Sequence, residues 1–487
     1  MESNEPSTST AFNKLPIELN KRIAHFLLPD PDSSRQDILQ ADANIAKFSK
    51  ICRATNHAID GDNYSFWRAA FRERFALLPA KVNVELRTLY QRRAKYLRKG
   101  CSGLEFHYGT GSYEKRVLVV LMGLIQDSFR GQLILDNDGT SHCPNTIVLR
   151  DFIMHSRLVL HRKMTTHAKP QEAAATEPVL AAIRIMCTQL LFTMDNVGNR
   201  DVIGFPDSQK AVYASTHDAP IFTGPKENII NMKWVLHCFN FFRYYMATPE
   251  ASALHDNLCY LGASQRPRPW DEPLKRGSYP LGNYWKGTYA FLEQSNLHKL
   301  RRHTAKRPGK AHDTIFDDLN IDEGKVQSLY LDFTSDPATQ DPWPNLFEAK
   351  LRSKRDTLPT SPPQQPPQHS KNATPEYSTK NIQLKGWGED LDDHFFATGW
   401  LNPLPPQSGI PGWQRVTFMK HFETDATQFS HDNLWAYEGV VLPGGKFIVG
   451  RWWYASDEVD MKNDYNGPFI LWAVDEEPSL ENSESEE

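Results

Sequence analysis

LWAYEGVVLPGGKFIVGRWW, residues 434–453, decides the fold. Two runs of β-branched and aromatic residues flank Pro443, Gly444 and Gly445, and such a run–turn–run pattern reads as a β-hairpin. In the second run Phe447, Val449, Arg451 and Trp453 share one face, with Lys446, Ile448, Gly450 and Trp452 on the other. Arg451 is the odd member of an apolar face. If that face points inward, Arg451 becomes an anchor for a carboxylate or phosphate.

Working outward, six further runs have the same character: YWKGTYAFL (284–292), VQSLYLDF (326–333), NIQLKGWG (381–388), HFFATGWL (394–401), QRVTFMKHF (414–422) and GPFILWAV (467–474). Eight strands rich in Trp, Tyr, Phe and Val, with Gly at the tight places, predict a closed or nearly closed antiparallel sheet, because closure removes exposed edges. A stretch with six prolines, residues 353–380, interrupts them and reads as an extended insertion. Trp387, Trp400, Trp413, Trp435, Trp452, Trp453 and Trp472 are seven of the chain's 12 tryptophans. They either line a barrel mouth that captures a ligand or peptide, or fill and cap its interior. Trp400, Trp435 and Trp453, with Arg451, are the candidate substrate-binding residues.

The 487 residues are enough for roughly three domains. The formal charge is −4, and residues 475–487 carry seven acids and no base, so the remainder is −4 + 7 = +3. A nearly neutral body makes no case for nucleic acid. The six cysteines, at 52, 101, 143, 187, 238 and 259, contain no CxxC and match neither a disulfide framework nor a zinc site. The N-terminal ten residues lack an apolar signal-peptide core. The longest apolar run, residues 117–125, falls far short of the ~20 residues that span a bilayer. These features predict a soluble protein of cytosol or nucleus, with no membrane partner.

The middle of the chain, residues 79–278, reads as mainly helical. Residues 84–99 carry Arg87, Arg92, Arg93, Lys95, Arg98 and Lys99. They form either a face for an acidic or nucleic-acid partner or the solvated side of a helix whose Leu86, Leu89, Tyr90 and Leu97 pack inward. Residues 299–310, KLRRHTAKRPGK, are either a localisation signal or a surface loop. Residues 165–178 read as a linker, and 232–246 as a helix buried nearly all round. Residues 132–135 and 146–149 are expected as short strands around a DNDG turn (136–139).

At the N-terminus, after a polar lead-in of residues 1–12, Leu15, Leu19, Ile23, Phe26 and Leu27 recur at helical spacing, and Pro16 suits a first helical turn. Phe48, Ile51, Cys52, Thr55 and Ile59 make a second stripe, and Trp67, Ala70, Phe71 and Phe75 a third, with a Pro/Asp/Ser turn at 29–37 between the first two. Three short helices bury too little to stand alone. Residues Leu15-Pro16-x-Glu18-Leu19, Ile23, Phe26-Leu27, Phe48 to Arg53 and Phe66-Trp67-Arg68 resemble the F-box, the adaptor-docking module of SCF ubiquitin ligases. The strand segments 284–292, 397–422 and 434–453 resemble the C-terminal region of a large group of fungal F-box domain proteins. The resemblance implies a non-catalytic substrate receptor. Leu15, Pro16, Leu19, Ile23, Phe48, Ile51, Cys52 and Trp67 would dock to the SCF adaptor subunit and, through it, a cullin scaffold. The C-terminal domain would hold an unknown protein substrate. Two alternatives are a ligase-independent F-box scaffold and a ligand-binding barrel with an appended F-box, whose polar candidates are Arg451, His394, His421 and Glu438.

No phosphate-binding glycine loop, nucleophile elbow or HExxH is present, and no cofactor or metal is expected. The acids at 389–393 beside His394 read as a solvated loop. The expected fold class is α+β: a three-helix F-box over 13–78, the helical middle, a β-barrel-like domain over 279–474 with its insertion, and an acidic tail over 475–487.

Overall fold

Alternating apolar residues over the last 200 positions wind into one closed sheet. The computed structural model describes residues 11–29, 34–106, 109, 111–135, 141–159, 170–194, 204–249, 251–306, 315–334, 347, 351, 380–390, 393–425, 428–429, 433–455 and 465–475. The insertion, save Lys380, the acidic tail beyond Asp475 and the DNDG turn lie outside them. The fold is α+β, and the chain divides into two compact units: Met1–Arg157 with Asp271–Pro273, and Leu158–Trp270 with Leu274–Glu487. The boundary between the units falls inside the stretch expected as a helical middle.

In the first unit, residues 15–74 form four helices rather than three: α1 (Ile17–His25), α2 (Arg35–Phe48), α3 (Arg53–Asp60) and α4 (Ser65–Arg74). The expected 29–37 turn ends early because Ser34 caps α2. Its hydroxyl accepts from the Asp37 backbone, and the Asp37 carboxylate takes the Ser34 N–H in return. α5 (Asn83–Gly100), α6 (Ser112–Asp127) and α7 (Pro144–His155) follow. Residues 146–149, expected as a strand, lie in α7, which starts at Pro144 as proline favours. The partner of Ile134–Leu135 is Ser141–His142 instead. Trp67 and Phe75 of the α4 region pack with Tyr90 of α5, and Phe71 packs with Phe75. Buried Arg93 lies over Phe71 and Phe75 and pairs with Asp127.

In the second unit, α8 (Pro170–Gln189), α9 (Phe205–Val212), α10 (Met232–Ala247), α11 (Ala253–Tyr260) and α12 (Gln294–Lys306) accompany the sheet. α8 corrects the linker reading from residue 170 onward, since QEAAAT is a run of helix formers despite the prolines on either side. α12 likewise makes a helix of residues 299–306 of the basic segment. α10 is buried on almost every side, as its all-round apolar sequence predicts.

The strands are β1 (Tyr284–Tyr289), β2 (Gln327–Thr334), β3 (Ile382–Asp390), β4 (Asp393–Pro403), β5 (Gln414–His421), β6 (Trp435–Val441), β7 (Phe447–Tyr454) and β8 (Asn466–Ala473). Each pairs antiparallel with the next, and β8 pairs with β1, which closes an up-and-down barrel. Its interior is filled by Trp285, Leu331, Leu384, Phe418, Tyr437, Trp452 and Phe469 among others. The rings of Phe418 and Tyr437 stack at 4.7 Å, and Tyr437 meets Phe469 edge-on at 5.0 Å. Small neighbours make room for these rings. A Cβ on Gly450 would stand 2.2 Å from the Glu438 carbonyl and 2.5 Å from the Phe469 ring. Gly450→Val is therefore expected to destabilise the barrel by at least ~1–3 kcal/mol, read as a lower denaturation midpoint. A midpoint equal to wild type would show a looser interior.

Asp318 ties the helices of this unit together. The Tyr213 hydroxyl and the Gln209 amide donate to its carboxylate at 2.6 and 2.7 Å, and the Tyr245 hydroxyl does so as well. Burial pushes this carboxyl from its ordinary 3.8 up to about 7, against the pull of the three donors. Between those values the folded chain binds more protons than the unfolded one. The contribution of Asp318 is thus full below about pH 4 and lost as pH rises through 7. His237 acts in the opposite sense, because burial holds its imidazole down to about 3, so its contribution is lost as pH falls below 6.5. A comparison with Asp318→Asn isolates the first effect. The unfolding free energy of wild type relative to the variant is expected to fall between pH 4.5 and 8. A difference that stays constant would refute the assignment.

Candidate functional site

Two surfaces hold the residues singled out by sequence. The first is α1. Leu19, Ile23 and Phe26 follow one another at i, i+4 and i+7, so they share one face of α1 and its C-cap, while Leu15 precedes the N-cap Pro16. Leu19 is 45% exposed and Phe26 77%, while Leu15 and Ile23 are half-buried and Pro16 is exposed. Ile51, in the turn between α2 and α3, is 43% exposed, and Cys52 beside it is half-buried at the α3 N-cap. Phe48 and Trp67 instead belong to the core of the unit. The Trp67 indole N–H donates to Asp60 at 2.8 Å, and Arg87 grips the same carboxylate with two bonds of 2.9 Å. Six of the eight residues are therefore at least partly accessible, and Phe26 extends their stripe.

The second surface is the barrel, which does not bring its four candidates together. Arg451 points outward, not inward. It is buried under α10, its guanidinium 4.8 Å from the Trp234 ring, and it donates to the carbonyls of Ala219 and Ala214 at 3.1 and 3.3 Å. It anchors the barrel to its own helical cover rather than a ligand. Trp400 and Trp453 are also on the outside, in a small cluster with Phe347 and Leu351. Trp435 turns inward at one rim, against Trp452 at 5.4 Å.

The polar candidates are equally scattered. Glu438 lies outside the barrel, opposite Arg451 in register, and pairs with Arg415. His421 is buried on the outer face, and burial lowers its imidazole to about 4. His394 is exposed at the β3–β4 hairpin, 3.6 Å from Glu389, so part of the expected acidic loop is paired strand.

Two features were not singled out from sequence. Inside the rim, Lys420 pairs with Asp390, its ammonium 4.1 Å from the Phe395 ring and 5.7 Å from Tyr289. The alternation Val416, Phe418, Lys420 in QRVTFMKHF carried that signal. On the outside, Tyr284, Tyr330, Trp387, Phe396 and His421 stand directly opposite one another across five strands. Trp387 in this row is 52% exposed. Its signal is register between distant segments, which a linear reading does not give.

Among the described residues no helix is long and apolar enough to cross a membrane. Nor does any group of three or more His, Cys, Asp or Glu side chains among them offer a metal site. No family model, curated protein or solved structure matches the chain. The F-box resemblance thus rests on the residues themselves.

Proposed function

We propose that the chain is the substrate-recognition subunit of an SCF-type ubiquitin ligase. The observation that carries this reading is the uncovered apolar stripe of α1. A helix whose Leu19 and Phe26 remain 45% and 77% exposed in the folded chain has apolar surface to bury against another protein. Leu19 sits within the Leu15-Pro16-x-Glu18-Leu19 motif and Phe26 in the Phe26-Leu27 pair, both part of the resemblance to the F-box. In this reading α1 and the Ile51 turn dock to the adaptor subunit, and the chain contributes no reactive group. It holds a substrate lysine close to an activated thioester formed elsewhere in the complex, so its contribution is proximity.

The packed barrel interior favours target recognition on the outer surface. The outer-face row centred on exposed Trp387 and half-buried Tyr330, whose rings stack at 6.0 Å, is the surface to test for it. The experiment is co-purification with the adaptor subunit. Replacing Leu15, Pro16 and Ile23 together by polar residues is expected to abolish it, and retention of the complex by that variant would count against the reading.

A further inference from the structure

α5 and α6 pack side by side in the first unit, and their seam combines positive charge with apolar surface. Arg92, Lys95 and Lys99 lie at i, i+3 and i+7 on α5, which puts them on one stripe. Arg116 joins them from α6, 3.3 Å from the Tyr96 hydroxyl. All four side chains are exposed, and none makes an ion pair among the described residues. The nearby acids are already engaged. Glu114 accepts the backbone N–H groups of Phe106 and Gly111 at 3.0 and 3.4 Å, Asp127 pairs with Arg93, and Glu85, which is exposed, accepts the Val82 N–H at 3.3 Å. Beside Arg92, and continuous along the seam with the other three cations, lies a groove where Leu89 and Val119 present apolar surface, Val119 being 53% exposed, with Lys81, Glu85 and Asp127 also in its lining.

We propose that this groove binds an acidic linear peptide of a partner protein, its carboxylates on the four cations and an apolar side chain over Leu89 and Val119. Charge complementarity selects an anionic partner. Two observations select peptide over nucleic acid. The rings beside the cations are occupied by them: Lys95 lies 5.5 Å from the Tyr96 ring centroid, and Lys99 and Arg116 lie 5.1 and 5.9 Å from that of Tyr113. They offer little free face for stacking bases. The chain as a whole carries a formal charge of −4, not the broad positive field that tracks a phosphate backbone. The groove lies on helices other than α1, so the inference stands apart from the adaptor reading.

The test is fluorescence anisotropy with the full chain and a labelled peptide of repeated Glu-Leu-Glu-Glu. Polyglutamate of equal length and an oligouridylate are the comparison probes. Binding of the Glu-Leu peptide is expected to weaken about tenfold in Arg92→Glu/Lys99→Glu/Arg116→Glu, and to weaken with added salt. It is also expected to weaken in Val119→Glu, a single exposed change whose thermal melt should match wild type. Equal binding by wild type and both variants would overturn the proposal. Oligouridylate binding more tightly than the peptide would replace it with a nucleic-acid site. Polyglutamate binding as well as the Glu-Leu peptide would remove the apolar anchor and overturn the groove as the site.

Discussion

Asp390→Ala is expected to cost the barrel about 3–5 kcal/mol, because it strands the Lys420 ammonium in an aromatic rim without its paired carboxylate. The side chains of Lys420 and Asp390 are only 6% and 12% exposed, so water offers little compensation. Burial already holds the Lys420 ammonium below its ordinary pKa, and the Asp390 carboxylate acts in the opposite direction. Removing the carboxylate leaves the burial effect opposed only by the weaker pull of Asp393. The paired replacement Asp390→Leu/Lys420→Met is expected to restore most of the loss, since an apolar pair of similar volume escapes the cost of burying two charges. Urea unfolding of wild type, Asp390→Ala and the paired variant measures this directly. If Asp390→Ala unfolds at the wild-type midpoint, the rim is wet and the pair contributes little.

The second large effect concerns binding. Leu19→Glu/Phe26→Glu should abolish association with the adaptor subunit while leaving the fold intact. Both side chains are exposed in the chain alone, so charging them removes little packing. In a docked interface each would place a buried, unpaired carboxylate against apolar surface, and such penalties reach several kcal/mol. A loss of about a hundredfold or more in affinity is expected, with a thermal midpoint near wild type. The contrast with Trp67→Ala is informative. Trp67 is 5% exposed and packs on Tyr90, so its removal should lower stability by about 3–5 kcal/mol, and weaken binding only by unfolding the module.

The barrel was legible because its information is local. Strand alternation, glycines and the Pro443–Gly445 turn all lie within short windows, and antiparallel neighbours are consecutive in the chain. Helix α10 was legible for the same reason, its apolar residues running all round. Local signals failed where two of them compete. Residues 35–48 adjoin a Pro/Asp/Ser segment, and the turn signal hid the Ser34 cap. Residues 170–178 carry a proline at each end and no large apolar stripe, which hid the helix propensity of their alanines.

The placement of functional side chains was less legible. The alternation of β7 put Arg451 on the same face as Val449, but whether that face pointed in or out depended on α10, more than 200 residues earlier. The Asp318 cluster joins Gln209, Tyr213 and Tyr245 across gaps of 109, 105 and 73 residues, and no periodicity connects them. The α1 stripe was visible as a stripe. Its exposure became visible only once the rest of the unit had packed without it.

The measurement that bears most directly on the central claim is complex formation between the purified full chain and the adaptor subunit, followed by size-exclusion chromatography with light scattering. A stable one-to-one complex is expected, in which the α1 stripe is no longer accessible. The chain eluting alone, under conditions where another F-box protein is fully bound, would contradict it.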